Sequence, residues 1–430
     1  MPELLGDIDS ALLAHQAVVS IRETLAALDP TNMVWQRDLS VGLELLGNTL
    51  ITLGDLDAAL AAHERCRALR EMIVALDPQN LARQRDLGIA IANVGIVKTA
   101  LGDAEGAFAA HQEALDLRLA MMAADPTVLQ YQRDTTYSLS LVAETHIANG
   151  DFQTAEPLLA EAVRIKADIV GATPDDLLLL TELTNLQNRH VDILLELGRA
   201  DEALAVARQS LQTADRMLEL APDVAQYTQS RLVSLNRIGD AEVALGDHQA
   251  AVATFQDMAR MGDLLLEVDP YSQPWASDLA IALERLGNAQ AATGDFAGAL
   301  KSHQNCLALR DWLVQQDPSN ADWYGNLSIS YERVSAMLVE TGDMQAALDH
   351  QDMSVTIRRD LVAAFPDNPY HRIDLVRALD LKATLLQDPT SANQEALSIL
   401  EEMYAQGTLP PEYVEWIPAF RKVLGLPTEF

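Results

Sequence analysis

The fold is decided by residues 46–78, LGNTLITLGDLDAALAAHERCRALREMIVALDP. Gly54-Asp55 breaks an apolar stripe that begins upstream at Trp35, Leu39, Leu43, Leu46, Leu50 and Leu53, at steps of three and four. That spacing keeps one face of a helix apolar, whereas a strand would alternate. A glycine accepts the left-handed backbone that ends a helix, and the aspartate after it can cap the next one. Ala59, Leu60, His63, Cys66, Leu69, Ile73 and Leu76 continue the pattern to Asp77-Pro78, where proline stops the run. Two helices joined by a tight turn form an antiparallel hairpin.

The same punctuation recurs along the chain. Prolines stand at 30, 78, 126, 174, 222, 270, 318 and 366, so the step is 78 − 30 = 48 throughout. Glycines at 6, 54, 102, 150, 198, 246, 294 and 342 keep that step, and each is followed five residues later by alanine, from Ala11 to Ala347. Asn32, Asn80, Asp176, Ser272, Asn320 and Asn368 follow the prolines as helix N-caps. Seven residues before the turn glycine a small residue recurs (Gly47, Gly95, Ala143, Gly239, Gly287, Ser335, Ala383), with Val191 the exception. A small residue there lets two backbones approach. A single hairpin cannot bury both of its faces, so stacking is expected, which gives an α-solenoid.

Leu46-Gly47, Gly54-Asp55, Ala59, the ring position at His63 and the small residue at Cys66 resemble the tetratricopeptide repeat family. The resemblance covers nearly the whole chain. It implies an all-α right-handed superhelix whose first helices line a concave peptide-binding groove. The unit here is longer than the family's, by close to two helical turns per helix, and histidine (15, 63, 111, 303) stands where the family usually has an aromatic ring. The expected organisation is a partial repeat at 1–30 with only a second helix (roughly Asp7 to Leu28), seven full repeats at 31–366, a degenerate eighth at 367–405 and a capping segment at 406–430. The eighth unit has lost its turn glycine at Gln387-Asp388-Pro389-Thr390. The tail from Pro410 to Leu426 reads as a closing helix carrying Tyr413, Trp416, Phe420 and Leu424.

Charge narrows the function. Lys plus Arg is 30 and Asp plus Glu 63, a balance of −33, which repels nucleic acid and anionic membranes. No apolar run is long enough to span a bilayer and no secretory leader is visible, so a cytoplasmic location is expected. Histidines in one phase of successive hairpins sit about 8–10 Å apart, too far to converge on one metal ion. Cys66 and Cys306 share a phase five units apart (306 − 66 = 240), which excludes a disulfide between them. A basic column (Arg22, Arg70, Arg118, Lys166, Arg310, Arg358) and an acidic one (Asp38, Asp86, Asp134, Glu182, Asp278, Asp374) read as ion pairs on a solvated surface. No phosphate loop, metal-spaced Cys/His set or nucleophile elbow is present. An acid–base cluster of His146, His190 and Asp192 has no pocket to mark it. No cofactor, metal or catalytic residue is expected.

The family groove, carried by register onto this sequence, places Glu44, Asn48, Glu144, Asn188, Asp192, Asn236, Asp240, Glu284, Asn288, Glu332 and Asp380 on the concave face. No Lys or Arg stands at the two groove positions of any unit. Glu44 and Glu284 replace the lysine with which some family members grip a terminal carboxylate. The expectation is a non-catalytic interaction scaffold whose acidic groove takes a basic or amide-rich polypeptide. The alternatives are a regulatory or sensor segment of a larger signalling protein, self-association through the open N-terminal flank, and, remotely, an enzyme.

Overall fold

A computed structural model describes the backbone of residues 2–428 and the side chains from Ile8 to Thr428. Among the described residues there are eighteen α-helices, a single 3-10 turn and no strand. They fall into two compact units, residues 1–231 and 232–430. The first holds α1 (Pro2–Leu28), α2 (Met33–Leu53), α3 (Leu56–Leu76), α4 (Leu81–Ala100), α5 (Ala104–Ala124), α6 (Leu129–Ala148), α7 (Phe152–Ala172), α8 (Leu177–Glu196) and α9 (Ala200–Leu220). α10 (Ala225–Ala244) carries the boundary within it. The second holds α11 (His248–Val268), α12 (Gln273–Ala292), α13 (Phe296–Gln316), α14 (Ala321–Thr341), α15 (Met344–Ala364), α16 (Pro369–Leu385), α17 (Thr390–Ala405) and α18 (Trp416–Val423). From α1 to α9, and again from α11 to α18, each helix packs on the next. This is a stack of helical hairpins.

The turn chemistry follows from the residues. Gly54 has φ +81°, a left-handed value that costs an L side chain about 1–2 kcal/mol. Its N–H donates to Ile51 O and that of Asp55 to Leu50 O, both at 3.0 Å, so the last carbonyls of α2 are satisfied as α3 begins. Asp55 then accepts from Ala58 N at 3.2 Å. Asn32 accepts from Val34 N and Trp35 N, and Asp176 from Leu178 N and Leu179 N. Ser272 occupies the cap of α12 without a side-chain bond; Pro274, at the second helical position, has no N–H to offer. Gly6 lies inside α1 instead of ending a helix, so α1 starts at Pro2 rather than near Asp7.

Small residues and rings interlock in the hairpins. A Cβ on Gly47 would stand 2.5 Å from His63 Nε2, and one on Gly287 2.6 Å from His303 Cε1. His63, His111 and His303 are buried, deeper than a half-buried ring. Phe255 occupies the same seat against Gly239. Where the small position becomes Val191, the ring position becomes Ala207, and both are fully buried. Volume is thus exchanged across the crossing and packing density is kept. Burial lowers the basicity of all three histidines, and His303 falls to about 4 through burial first and the nearby Arg333 charge second.

The C-terminal end is closed by different chemistry. α16 ends at Leu385 with its cap Leu386 in extended backbone, and Thr390 stands at the phase where the other repeats place the turn glycine. Ile373, Val376, Leu379, Leu400, Met403, Ile417 and Phe420 share one core, with Tyr413, Trp416 and Leu424 packed on it.

Candidate functional site

All of the basic column but Arg22, which is half-buried, is buried, contrary to its expected place on a solvated surface. Arg70, Arg118, Lys166, Arg310 and Arg358 are each no more than 7% exposed. Each side chain leaves a second helix and enters the first helix of the next hairpin, 16 residues on. Arg70 Nη1 donates to Asp86 O at 2.7 Å and Arg118 Nη1 to Asp134 O at 3.0 Å. Arg310 Nη1 donates to Asn326 O at 3.1 Å and to Ser330 Oγ at 2.9 Å. Lys166 pairs with Glu182 at 2.5 Å and Arg358 with Asp374 at 2.9 Å. The long alkyl stems bury well while the charged head finds acceptors. An outer set of pairs repeats the link: Arg37–Asp86 at 2.8 Å, Arg85–Asp134 at 2.6 Å and Arg133–Glu182 at 3.0 Å.

These struts take up part of the expected groove. Glu44 accepts from Arg70 and Glu284 from Arg310. Glu144 pairs with Arg189. Asp240 faces Arg285 at 3.4 Å and Arg237 at 3.9 Å, while burial raises its carboxyl above the usual range against the pull of both cations. Asn188 is buried, its Oδ1 accepting from Ser210 Oγ at 2.7 Å. Asn236 Nδ2 donates to Asp240 Oδ2 at 3.4 Å, and its buried Oδ1 has no donor. Asp192 is half-buried on α8 and Asn48 is exposed on α2. Glu332 accepts from Ser354 Oγ at 2.7 Å and has no cation partner among the described residues. Asp380 is exposed and forms no ion pair among the described residues, and partial burial raises its carboxyl above the usual range.

The reading of two groove positions per unit missed the residue beside them. Arg189, Arg237, Arg285 and Arg333 stand one place after the first groove position of four successive units, at the same 48-residue step (237 − 189 = 48). Arg285 reaches back to the acid of the preceding unit, and Arg189 does the same with Glu144. A residue-by-residue scan for cations in phase would have found them.

In the second unit the first helices line three adjoining cavities. One of about 500 Å³ is walled by Asn236, Ile281, Glu284, Asn288, Trp323 and Arg333. The next, about 570 Å³, shares Asn326 with it and adds Ile329, His371 and Asp374. The last, about 600 Å³, shares Glu332 and Arg377 with the second and ends on Leu381, Trp416, Phe420 and Val423.

Other candidate chemistry is accounted for locally. His146 pairs with Asp151 at 3.1 Å and His190 with Glu156 at 3.0 Å, so the two histidines do not share a partner. Both thiols are buried and free; burial pushes Cys66 up to about 11 and Cys306 upward, which leaves them unreactive. Among the described residues no group of His, Cys, Asp and Glu could hold a metal ion, and no helix is long and apolar enough to cross a membrane.

Residues 282–317 match the model of the tetratricopeptide repeat family. They cover the second half of α12, the Gly294 turn and all of α13. The chain is a helical repeat protein in which one repeat matches the tetratricopeptide model. Among solved structures it is similar to the apo form of RapI, with a TM-score of 0.54 at 9% identity, over 90% of this chain and 98% of that one. A tetratricopeptide-sensor STAND protein from Pyrococcus horikoshii gives 0.43 at 13% identity, over 86% of this chain and 50% of that one. A tetratricopeptide repeat protein from Parabacteroides merdae gives 0.38 at 11%, over 79% and 98%. No curated protein matches. At these identities the likeness speaks to the fold alone.

Proposed function

We propose that this protein is a non-catalytic scaffold that holds a partner polypeptide along the first-helix face, with basic or amide-rich segments of the partner against its carboxylates. The observation that carries this reading is the run of adjoining cavities over α12, α14, α16 and α18. Such a row suits an extended chain better than a compact small molecule. Among the described residues Glu332 and Asp380 form no ion pair, and the half-buried amides of Asn236 and Asn288 stand in the wall of the first cavity for a peptide backbone to bond. Glu44, Glu144 and Glu284 act mainly within the protein, so the acidic pull of the groove is local. The test is to identify a partner by capture and mass spectrometry, then measure its affinity for N236A, N288A and E332Q at two salt concentrations. Weaker binding to the variants and at higher salt supports the reading; unchanged dissociation constants for all three variants dispose of it.

A second reading, self-association through α1, is favoured by one observation. Leu13, Ile21 and Leu28 are 68%, 62% and 74% exposed on that helix. Sedimentation equilibrium distinguishes it: a monomer at 46.9 kDa at all concentrations removes it.

A further inference from the structure

The cavity at the C-terminal end of the row differs from the other two. One wall is α18, whose Trp416, Phe420 and Val423 face Leu381 of α16. The other wall carries Glu332 and Asp380. In two other hairpins the first groove carboxylate receives an arginine 26 residues on, Glu44 from Arg70 and Glu284 from Arg310. The residue 26 places after Asp380 is Gln406, whose amide is turned to Glu402 at 3.0 Å. Among the described residues no cation forms an ion pair with Asp380. The one arginine in the cavity wall, Arg377, is engaged elsewhere: its guanidinium carbon lies 5.7 Å from the centroids of both the Tyr413 and Trp416 rings, and it leans on Asp374 at 4.0 Å.

We infer that this cavity receives one arginine side chain of the partner polypeptide, its alkyl stem along Leu381, Trp416 and Val423 and its guanidinium at Asp380 and Glu332. The inference rests on the groove reading above and names what the groove's end selects. A purely apolar side chain would desolvate Asp380 without compensating it. A lysine ammonium is compact and strongly hydrated, whereas a guanidinium is weakly hydrated and presents a planar fork to carboxylates. A long stem with a charged tip matches an apolar wall beside an acidic rim. The site reproduces, with a side chain from outside, the pairing that Arg70 and Arg310 make from within.

The experiment uses the full-length chain labelled with nitrogen-15 and follows the Trp416 indole N–H, assigned from the spectrum of W416F. The probes are N-acetyl-arginine amide, its neutral isostere N-acetyl-citrulline amide, and N-acetyl-norleucine amide. The expected result is a saturable shift of the Trp416 signal with the arginine probe, about tenfold weaker binding of both neutral probes, and about tenfold weaker arginine binding to D380N. Asp380 is exposed and makes no side-chain hydrogen bond or ion pair among the described residues, so D380N should keep its melting curve, which circular dichroism checks. Equal responses to arginine and citrulline, an unchanged affinity in D380N, or no response to any probe would each overturn the inference. Its failure is separable from that of the groove reading. If N236A and N288A, which lie outside this cavity, weaken a captured partner while the probes do not discriminate, the groove stands and this pocket falls; if the probes discriminate while those two variants change nothing, the cavity binds a guanidinium but the groove reading falls.

Discussion

Two joints between hairpins, α3 to α4 and α11 to α12, have the same geometry and opposite chemistry. At the first, Arg70 is buried and donates to Asp86 O, Ser40 Oγ and Glu44. At the second, the corresponding residues are Gly262 and Asp278. The strut is missing, and Asp278 Oδ2 is buried without a donor. Burial alone raises the Asp278 carboxyl above its usual range. Leu279 closes over the gap, 3.0 Å from where a Gly262 Cβ would stand. Glu44, the carboxylate partner of Arg70, becomes Asn236, so the strut and its paired acid are lost together, while the aspartate whose backbone carbonyl received the strut is kept. The comparison teaches that the array does not need every strut to stack, because the apolar faces do most of the holding, but each strut present has become a buried charge that cannot be removed cheaply.

The sharpest way to break that contrast is Arg70→Met. It keeps an apolar stem but leaves Glu44 facing the hairpin joint and Asp86 O without its donor. A loss of about 3 kcal/mol is expected in denaturant unfolding. A loss below about 0.5 kcal/mol would mean that the strut joint is no stronger than the strutless one.

The ring seats come next. Gly47→Ala places a Cβ against the His63 ring, which must move, at about 1–3 kcal/mol. Gly54→Ala meets no atom within 4 Å and should cost only its backbone strain, about 1–2 kcal/mol. If G54A proves the more damaging, the close approach of the two helices is not what the glycine at 47 provides.

Acid should act through the seated rings. The folded protein binds a proton at His303 only near pH 4, while the unfolded chain binds it near the ordinary value of 6.5. Unfolding therefore takes up protons between those values. The stability is complete above about pH 6.5 and is lost as pH falls toward 4, by a few kcal/mol for this residue alone. His303→Phe copies the Phe255 seat and should flatten that part of the profile in melts at pH 7, 6 and 5. Glu284, Arg310 and Arg333 are the charges nearest the ring, so R333Q should shift the midpoint upward.

Asp278→Asn should give the smallest change. Its folded carboxyl is harder to ionise than the unfolded one, so ionisation at neutral pH opposes folding, and that penalty vanishes in acid. The amide should raise stability by about 1 kcal/mol at pH 7 and leave it unchanged near pH 3. No gain at pH 7 would show that water or a neighbour already satisfies the carboxylate.

Helices, turns and ring seats were legible because their signals are local. Gly54-Asp55 states its own turn, and Asn32 its own cap. The pairing of Gly47 with His63, or of Val191 with Ala207, follows from antiparallel register once the hairpin is drawn. The struts were not legible. Arg70 looks the same whether its stem is buried or solvated, and its partner Glu44 lies on the previous helix of its own hairpin while Asp86 O belongs to the next. Reading Glu44 and Glu284 as free groove carboxylates failed for that reason. Ile417 was missed as a core residue of α18 because an eight-residue helix offers too few turns for its buried stripe to be distinguished from its rim. The first-helix arginines were visible by phase alone and needed only a wider search.

The account's central claim is that a buried cation, where one is present, ties a hairpin to its neighbour and that its loss is felt locally. Native-state hydrogen exchange on Arg70→Met against the unaltered chain tests it most directly. The account predicts faster exchange concentrated in α2, α3 and α4, falling to the level of α11 and α12 in the unaltered protein, with α13 to α17 unchanged. Exchange in α2 to α4 that stays the same, or that quickens equally along the whole chain, would contradict it.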